Sequence, residues 1–476
     1  MIKAMVFKHG VYVNEKAQAP VSSNQDSTIP VVFGTAPKGP ANTPVMVKSY
    51  SQAVEVFGFS EDFVSFTLSE FIDAHFNLYG LSQAILINVL DPGTAKKSNT
   101  GNLDISQELT VTDVQYPVMD SVKIKKASAE LVKGTDYTVE LDGDGYLVIS
   151  IPTGSSVVLP AAGLTLTYDA ADPSKVKSAD LIGKADVATG KRTGFELLDT
   201  VIPMFGVVPG LVLAPKYSAD NAVAAALTAK SQKINSMFKV FALTDLDTTT
   251  IRTKKAAIDA KKTGASGQDI CWPKVIYKNK QYHMSTLKAG LIVQMDAANN
   301  GIPSISPSNR TMIADGCVLA DGTPVFIGMD EANELNGAGI STLLSFIGAP
   351  RAWGNRTAAY PDGATEMKDV FISAKRMMFW LNNRIVTDTW EDVDNNITKR
   401  FVESVTDKHN LRLNGLVSMG VLLGGRCTFN PADNPDSQLL DGKIKFAVAV
   451  GLSPVAEAME FTIEVDTSYL STITAG

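Results

Sequence analysis

The sequence predicts a multidomain α/β and α+β protein: a parallel-sheet α/β domain carrying an inserted all-β sandwich or barrel, then a C-terminal α+β domain. Three observations predict it. Strand and helix patterns alternate over residues 211–277, the order of a parallel sheet with crossover helices. Residues 95–184 hold short strand-like segments spaced by Gly, Pro, Asp and Ser, with hardly a helical pattern among them. Residues 443–465 hold two alternating strands, preceded by two amphipathic helices. The 476 residues suffice for about three domains. The expected division is an extended arm at 1–28, an α/β domain at 29–94 and 185–350, the inserted β domain at 95–184, the α+β domain at 351–465 and a tail at 466–476.

The C-terminal strands organise the rest. In Lys443-Ile-Lys-Phe-Ala-Val-Ala-Val450, the residues Ile444, Phe446, Val448 and Val450 share one face, and in Phe461-Thr-Ile-Glu-Val465 so do Phe461, Ile463 and Val465. Two strands do not make a stable sheet in water, so others must join them. At the opposite end Gly10-Val-Tyr-Val-Asn-Glu15 is a short strand centred on Val11, Tyr12 and Val13, and the polar stretch 16–28 after it cannot bury a core of its own. Such terminal strands pair within a molecule or between molecules.

Composition narrows the function. With 45% hydrophobic and 20% charged residues the chain has the balance of a soluble globular protein. A net charge of −7 argues against nucleic acid as the main partner, because neutralising phosphates needs a basic surface. Cys271, Cys317 and Cys427 are odd in number and far apart, and read as small hydrophobes of a reducing compartment. Residues 1–8 are too short for a signal peptide, and the longest uncharged run, 200–215, is broken by Pro203 and Pro209 and falls short of the ~20 residues of a membrane helix. The expectation is a cytosol-made protein with no membrane insertion.

In order, Ile29-Pro-Val-Val-Phe33 is a buried strand running into Gly34-Thr-Ala-Pro-Lys-Gly-Pro40. Its Gly-x4-Gly spacing invites a phosphate-loop reading, but Pro40 and Ala41 stand where Lys and Ser/Thr should, so a structural turn is expected. Ser51 caps a short helix ended by Gly58, and residues 62–79 form a longer one with His75 beside its apolar stripe as a core or boundary histidine. Ala84-Ile-Leu-Ile-Asn-Val-Leu90 is another buried strand. Asp142-Gly-Asp-Gly145 has half the look of a calcium loop but lacks its far Glu, and reads as a hairpin turn.

Beyond residue 210, strands at 211–214, 238–243 and 271–277 alternate with helices at 218–237 and 248–262. Asp245 and Asp247 follow a strand's C-terminal end, where α/β enzymes place ligands, but both also suit the mouth of the next helix as caps. In the loop 348–357, Arg351 and Arg356 suit either a phosphate or the buttressing of loop carbonyls around Trp353. Helices at 366–385 and 396–413 and a glycine-rich turn at 420–425 lead to the closing strands. His9, His75, His283 and His409 are isolated and fit no catalytic motif, so no catalytic residue, metal ligand or cofactor is assigned. The alternative is a metal-dependent α/β enzyme using Asp245 and Asp247. A third reading makes residues 95–184 a receptor- or glycan-binding module.

The ordered landmarks resemble the sheath proteins of contractile phage tails and related contractile injection machines. They are Gly10-Val-Tyr-Val-Asn-Glu15, Pro30-Val-Val-Phe-Gly-Thr-Ala-Pro-Lys-Gly-Pro40 on to Phe57-Gly58, Trp353-Gly-Asn-Arg-Thr357, and Asp441-Gly-Lys-Ile-Lys-Phe446 through Ser453-Pro-Val-Ala-Glu-Ala-Met-Glu-Phe461. Asn88 departs from the pattern, since many sheaths carry a basic residue in that strand. The resemblance implies a non-enzymatic virion subunit, assembled in the host bacterial cytoplasm as stacked rings or a helical sheath. It contracts to drive an inner tube through the host envelope, with the tail tube, baseplate and tail terminator proteins as partners. By carry-over, arms around Val11, Tyr12 and Val13 and the strands with Ile444, Phe446, Val448, Phe461, Ile463 and Val465 complete sheets between neighbouring subunits. The inserted domain faces outward, and Lys375, Arg376, Lys399 and Arg400 are the candidate tube-facing residues.

Overall fold

Short apolar runs build the central sheet of the computed structural model, which describes residues 28–261 and 264–474. The expected strand of Val11, Tyr12 and Val13 therefore lies outside the described residues. In chain order the strands are β1 (Pro30–Gly34), β2 (Val45–Val47), β3 (Ala84–Asn88), β4 (Leu211–Leu213), β5 (Phe241–Asp245), β6 (Gln268–Cys271), β7 (Arg310–Thr311), β8 (Ile340–Leu344) and β9 (Arg351–Trp353). They form one sheet in the order β7-β9-β8-β6-β5-β4-β1-β3-β2. Its middle, from β8 to β3, is parallel, and β2, β9 and β7 add antiparallel edges.

Both faces of this sheet are covered, which is why its strands read as unbroken apolar runs. Val32, Leu86, Leu211 and Leu213 enter one core, and Val31, Phe33, Ile85, Ile87 and Val212 enter the other. The sheet also extends past the boundary expected at 350, because Arg351–Trp353 pairs with Ile340–Leu344 instead of looping free. Arg351 does buttress a loop carbonyl, donating from Nη1 to Asn309 O at 2.9 Å.

The turn after β1 is structural. Asn88 Oδ1 accepts the Ala36 and Leu90 amides at 3.1 and 3.0 Å, filling the loop with a side chain. A Cβ at Gly34 would stand 2.3 Å from Thr67 Oγ1, so close approach requires glycine here. The helix expected at 62–79 runs as α-helix over Thr67–Ile72 and widens to π-helical turns over Asp73–Leu78. His75 is buried there, its Nε2 3.1 Å from Gln83 O and its ring stacked on Phe71.

Residues 96–171 form two small sheets around a separate core that includes Leu103, Ile124, Leu147, Ile149, Leu164 and Leu166. Asp142-Gly-Asp-Gly145 turns between Thr138–Leu141 and Tyr146–Ser150, with Asp142 Oδ1 accepting the Asp144 and Tyr146 amides at 3.0 and 2.8 Å. The first and last strands of this unit, Lys96–Ile105 and Ala161–Ala171, pair antiparallel, and Asp172 N–H donates to Ala95 O at 2.9 Å.

Helix α1 (Met284–Ala298) is buried along most of its length against the central sheet, so its polar residues need partners inside. Lys288 Nζ lies 2.5 Å from Asp269 Oδ2, both fully buried, and Ser341 accepts from Lys288 at 2.6 Å while donating to Asp269 at 2.7 Å. At the start of the helix His283 Nδ1 sits 2.7 Å from Glu70 Oε2. Burial works to raise the Glu70 carboxyl, and the facing His283 outweighs it and holds the carboxyl below its ordinary range. Cys271, Cys317 and Cys427 are free and buried. Among the described residues no helix is long and apolar enough to cross a membrane.

Candidate assembly interface

Helices α2 (Ile372–Thr389) and α3 (Lys399–Ser418) carry the C-terminal strands. Met377 and Leu381 of α2 and Leu413 and Leu416 of α3 form a core with Leu422 and Cys427. Strand β10 (Leu422–Thr428) pairs antiparallel with β11 (Ala447–Leu452). The glycines expected to form a turn at 420–425 are thus partly strand. A Cβ at Gly425 would lie 3.1 Å from Leu413 Cβ, so the bare backbone lets β10 lie close on α3. Asn410 fastens it, accepting from Cys427 N at 2.7 Å and donating to Cys427 O at 3.0 Å.

The expected strand at 443–450 is displaced toward the C-terminus. Asn434 takes both backbone groups of Lys445, at 2.7 Å to N and 3.0 Å to O, so the chain enters the sheet only at Ala447. The predicted inward parity partly holds: Phe446, Val450 and Leu452 pack on the core, Ile444 is half-buried, and Val448 is exposed. Residues 461–465 are not a strand in the isolated chain. Phe461, Ile463 and Val465 are 81%, 92% and 89% exposed, and among the described residues no strand pairs with them. Among the described residues β10 and β11 form a sheet of two strands, with an exposed apolar segment following it.

The candidate tube-facing residues separate. Lys399 and Arg400 are exposed, and Lys399 makes only a 3.8 Å contact to Glu403 one helical turn on. Lys375 donates to Asp369 at 2.5 Å. Arg376 is a correction: it is buried, 4% exposed, and its guanidinium bonds both carboxylate oxygens of Asp296, so it has no free surface. Thr28, the first described residue, donates to the same carboxylate. This clamp fixes the point where the N-terminal segment meets the body. Neither it nor the grip of Arg356 on Glu457 could be read locally, since the partners lie 80 and 101 residues away.

Of the two aspartates of the enzyme alternative, Asp245 caps a helix, whereas Asp247 closes a turn ahead of the next helix, which begins at Lys254 and is capped by Thr253. Asp245 is buried and accepts Ser285 N–H at 3.0 Å and Ser285 Oγ–H at 2.5 Å, capping α1 and not the next helix in sequence. Burial raises its carboxyl, with His283 and Ser285 opposing. Asp247 holds the Thr249 amide at 2.9 Å and the Thr250 hydroxyl at 2.9 Å. Among the described residues no group of three or more His, Cys, Asp or Glu side chains is arranged to hold a metal ion.

No family model matches the chain. It is 29% identical to the tail sheath protein of Burkholderia phage BcepMu over 485 aligned positions, covering 99% of both chains. It is 28% identical to a putative prophage major tail sheath protein of Pseudomonas aeruginosa, over 67% of this chain and 80% of that one. Its fold matches the helical sheath of the anti-feeding prophage in its contracted state, with a TM-score of 0.56 at 15% identity over 96% and 99% of the two chains. It also matches the sheath complex of the extracellular contractile injection system PVC, at 0.57 and 12% over 98% and 99%. The fold is therefore that of contractile sheath subunits, a class of structural protein. Over its full length the chain is similar to the tail sheath proteins of phages, and its fold is shared with the sheaths of contractile injection systems.

Proposed function

We propose that this chain polymerises around an inner tube and contracts to drive the tube through a host cell envelope, delivering a genome or an effector. One observation carries the reading: a sheet of two strands stands beside an apolar segment that finds no burial among the described residues. The segment with Phe461, Ile463 and Val465, and the arm with Val11, Tyr12 and Val13, join the β10–β11 sheets of neighbouring subunits by strand addition. Contacts of this head-to-tail kind pass from each subunit to the next, either closing into rings that stack or running on as a helix. Arms keep subunits linked while the bodies repack between two arrangements, the extended one being metastable.

On this reading assembly occurs in the host cytoplasm, between a baseplate and a terminator, with the exposed Lys399 and Arg400 toward the tube and residues 95–184 outward. Negative-stain electron microscopy of the purified chain across protein concentration and salt tests it. Tubes or stacked rings are expected. Deleting residues 1–27, which leaves Thr28 on Asp296, is expected to give a folded monomer that forms neither. Dispersed particles under every condition, even with tube protein supplied, would sink the proposal, and tubes of normal geometry from the deletion would sink its N-terminal half.

A further inference from the structure

We infer that Arg356 is the positioning residue that aims the C-terminal segment, and that the two arms are rooted differently: the N-terminal one by a buried clamp, the C-terminal one by a latch that salt releases. The inference rests on the strand-donation reading above. Arg356 lies between two aromatic faces, its guanidinium carbon 4.4 Å from the Tyr360 ring centre and 4.7 Å from that of Phe371. From that slot its Nη2 bonds Glu457 Oε2. Glu457 belongs to residues 453–466, which carry no regular secondary structure and lead to Phe461.

The two roots differ in their solvent. The Arg356 and Glu457 side chains are 22% and 27% exposed, so water and ions reach the pair and screen it. Thr28, Asp296 and Arg376 are 9%, 2% and 4% exposed, where screening is slight and breaking the contact leaves a charge buried. Both roots meet α2 near its start, since Phe371 caps that helix and Arg376 lies in its second turn. One end of the subunit is held fast while the other is free to swivel about the same helix. A linked subunit that must change its packing without letting go needs this asymmetry.

Limited proteolysis of the full-length chain, at concentrations where it is monomeric, tests the latch without requiring assembly. Arg356→Gln and Glu457→Gln are each expected to raise the cleavage rate within residues 453–466 roughly five- to tenfold at low salt, with the thermal midpoint unchanged. Arg356→Lys keeps the charge and should recover part of the protection. The unaltered chain in about 1 M salt, where the screening length is ~3 Å, should be cut like Glu457→Gln. Asp296→Asn should instead lower the thermal midpoint at every salt concentration. Equal cleavage of the unaltered chain, Arg356→Gln and Glu457→Gln at both salts would overturn the inference. Salt-sensitive cleavage in a chain that forms no tubes supports the latch while counting against strand donation.

Discussion

Phe461→Ala separates what the C-terminal segment does alone from what it does in a sheath. Phe461 is 81% exposed in the isolated subunit, so truncating it removes little contact among the described residues, and the monomer's stability should stay within about 0.5 kcal/mol. Buried against a neighbour, each of Phe461, Ile463 and Val465 contributes about 1.5–3 kcal/mol, or roughly 5–9 kcal/mol together. Ordering residues 461–465 costs about 1–2 kcal/mol each, a sum of the same size. The net gain per donated strand is small, and losing one aromatic anchor, about 2–3 kcal/mol, consumes much of it. The critical concentration for tube formation should rise roughly 30- to 150-fold. Pelleting of tubes across a concentration series reads this, with thermal unfolding of the dilute monomer as control. Tubes forming at the unaltered critical concentration would refute the burial of Phe461 at an interface, and a destabilised monomer would refute its idleness in the free chain.

Asp269→Asn strands the Lys288 charge in a fully buried site and should cost about 3–5 kcal/mol, read by denaturant unfolding; pairing Asp269→Leu with Lys288→Met should recover most of that loss. Burial pushes the His75 imidazole down to about 4 from an ordinary 6.5, against its hydrogen bond to Gln83. It is neutral when folded and protonates when unfolded, so stability is whole above about 6.5 and falls as pH drops toward 4, by up to roughly 3 kcal/mol. His75→Phe should flatten that part of a plot of melting temperature against pH, and parallel curves would contradict the assignment. Asp245→Ala should lower stability by about 1–2 kcal/mol through loss of the α1 cap while leaving tubes intact. A calorimetric metal titration whose heat disappears in Asp245→Ala would reinstate the enzyme alternative.

What could be read from sequence follows from the range of the interactions involved. The strands around Val31–Phe33 and Ile85–Ile87 were legible because burial on both faces leaves an apolar run, and the turn at Asp142–Gly145 because its hydrogen bonds close within four residues. The fate of Arg376 was not legible: a helix pattern shows a charge off the apolar face but not that Asp296, on another helix, waits beside it. Asp245 was rightly expected to cap a helix, but the residue it holds there, Ser285, lies 40 residues further on. Gly425 looks like part of a turn because glycine marks both turns and close packing, and only the nearness of Leu413 tells them apart. Residues 461–465 have the alternation of a strand, but alternation carries no information about which molecule holds the partner.

Where the unit formed by residues 96–171 enters and leaves the body, the two crossings are tied together by a hydrogen bond from Asp172 to Ala95. Its terminal strands lie side by side, with Ala171 opposite Lys96, so a short turn could join the cut ends without moving β3 or the chain beyond. The bonds lost would include the one from the Phe59 amide to the Tyr116 hydroxyl at 3.1 Å, with Lys38 over the same ring. A unit with its own core and adjoining ends behaves as a plug in a socket. The rest of the subunit is then a chassis onto which a different domain, or a chosen cargo, can be grafted at residues 95 and 172 while the central sheet and the C-terminal helices and strands keep their geometry.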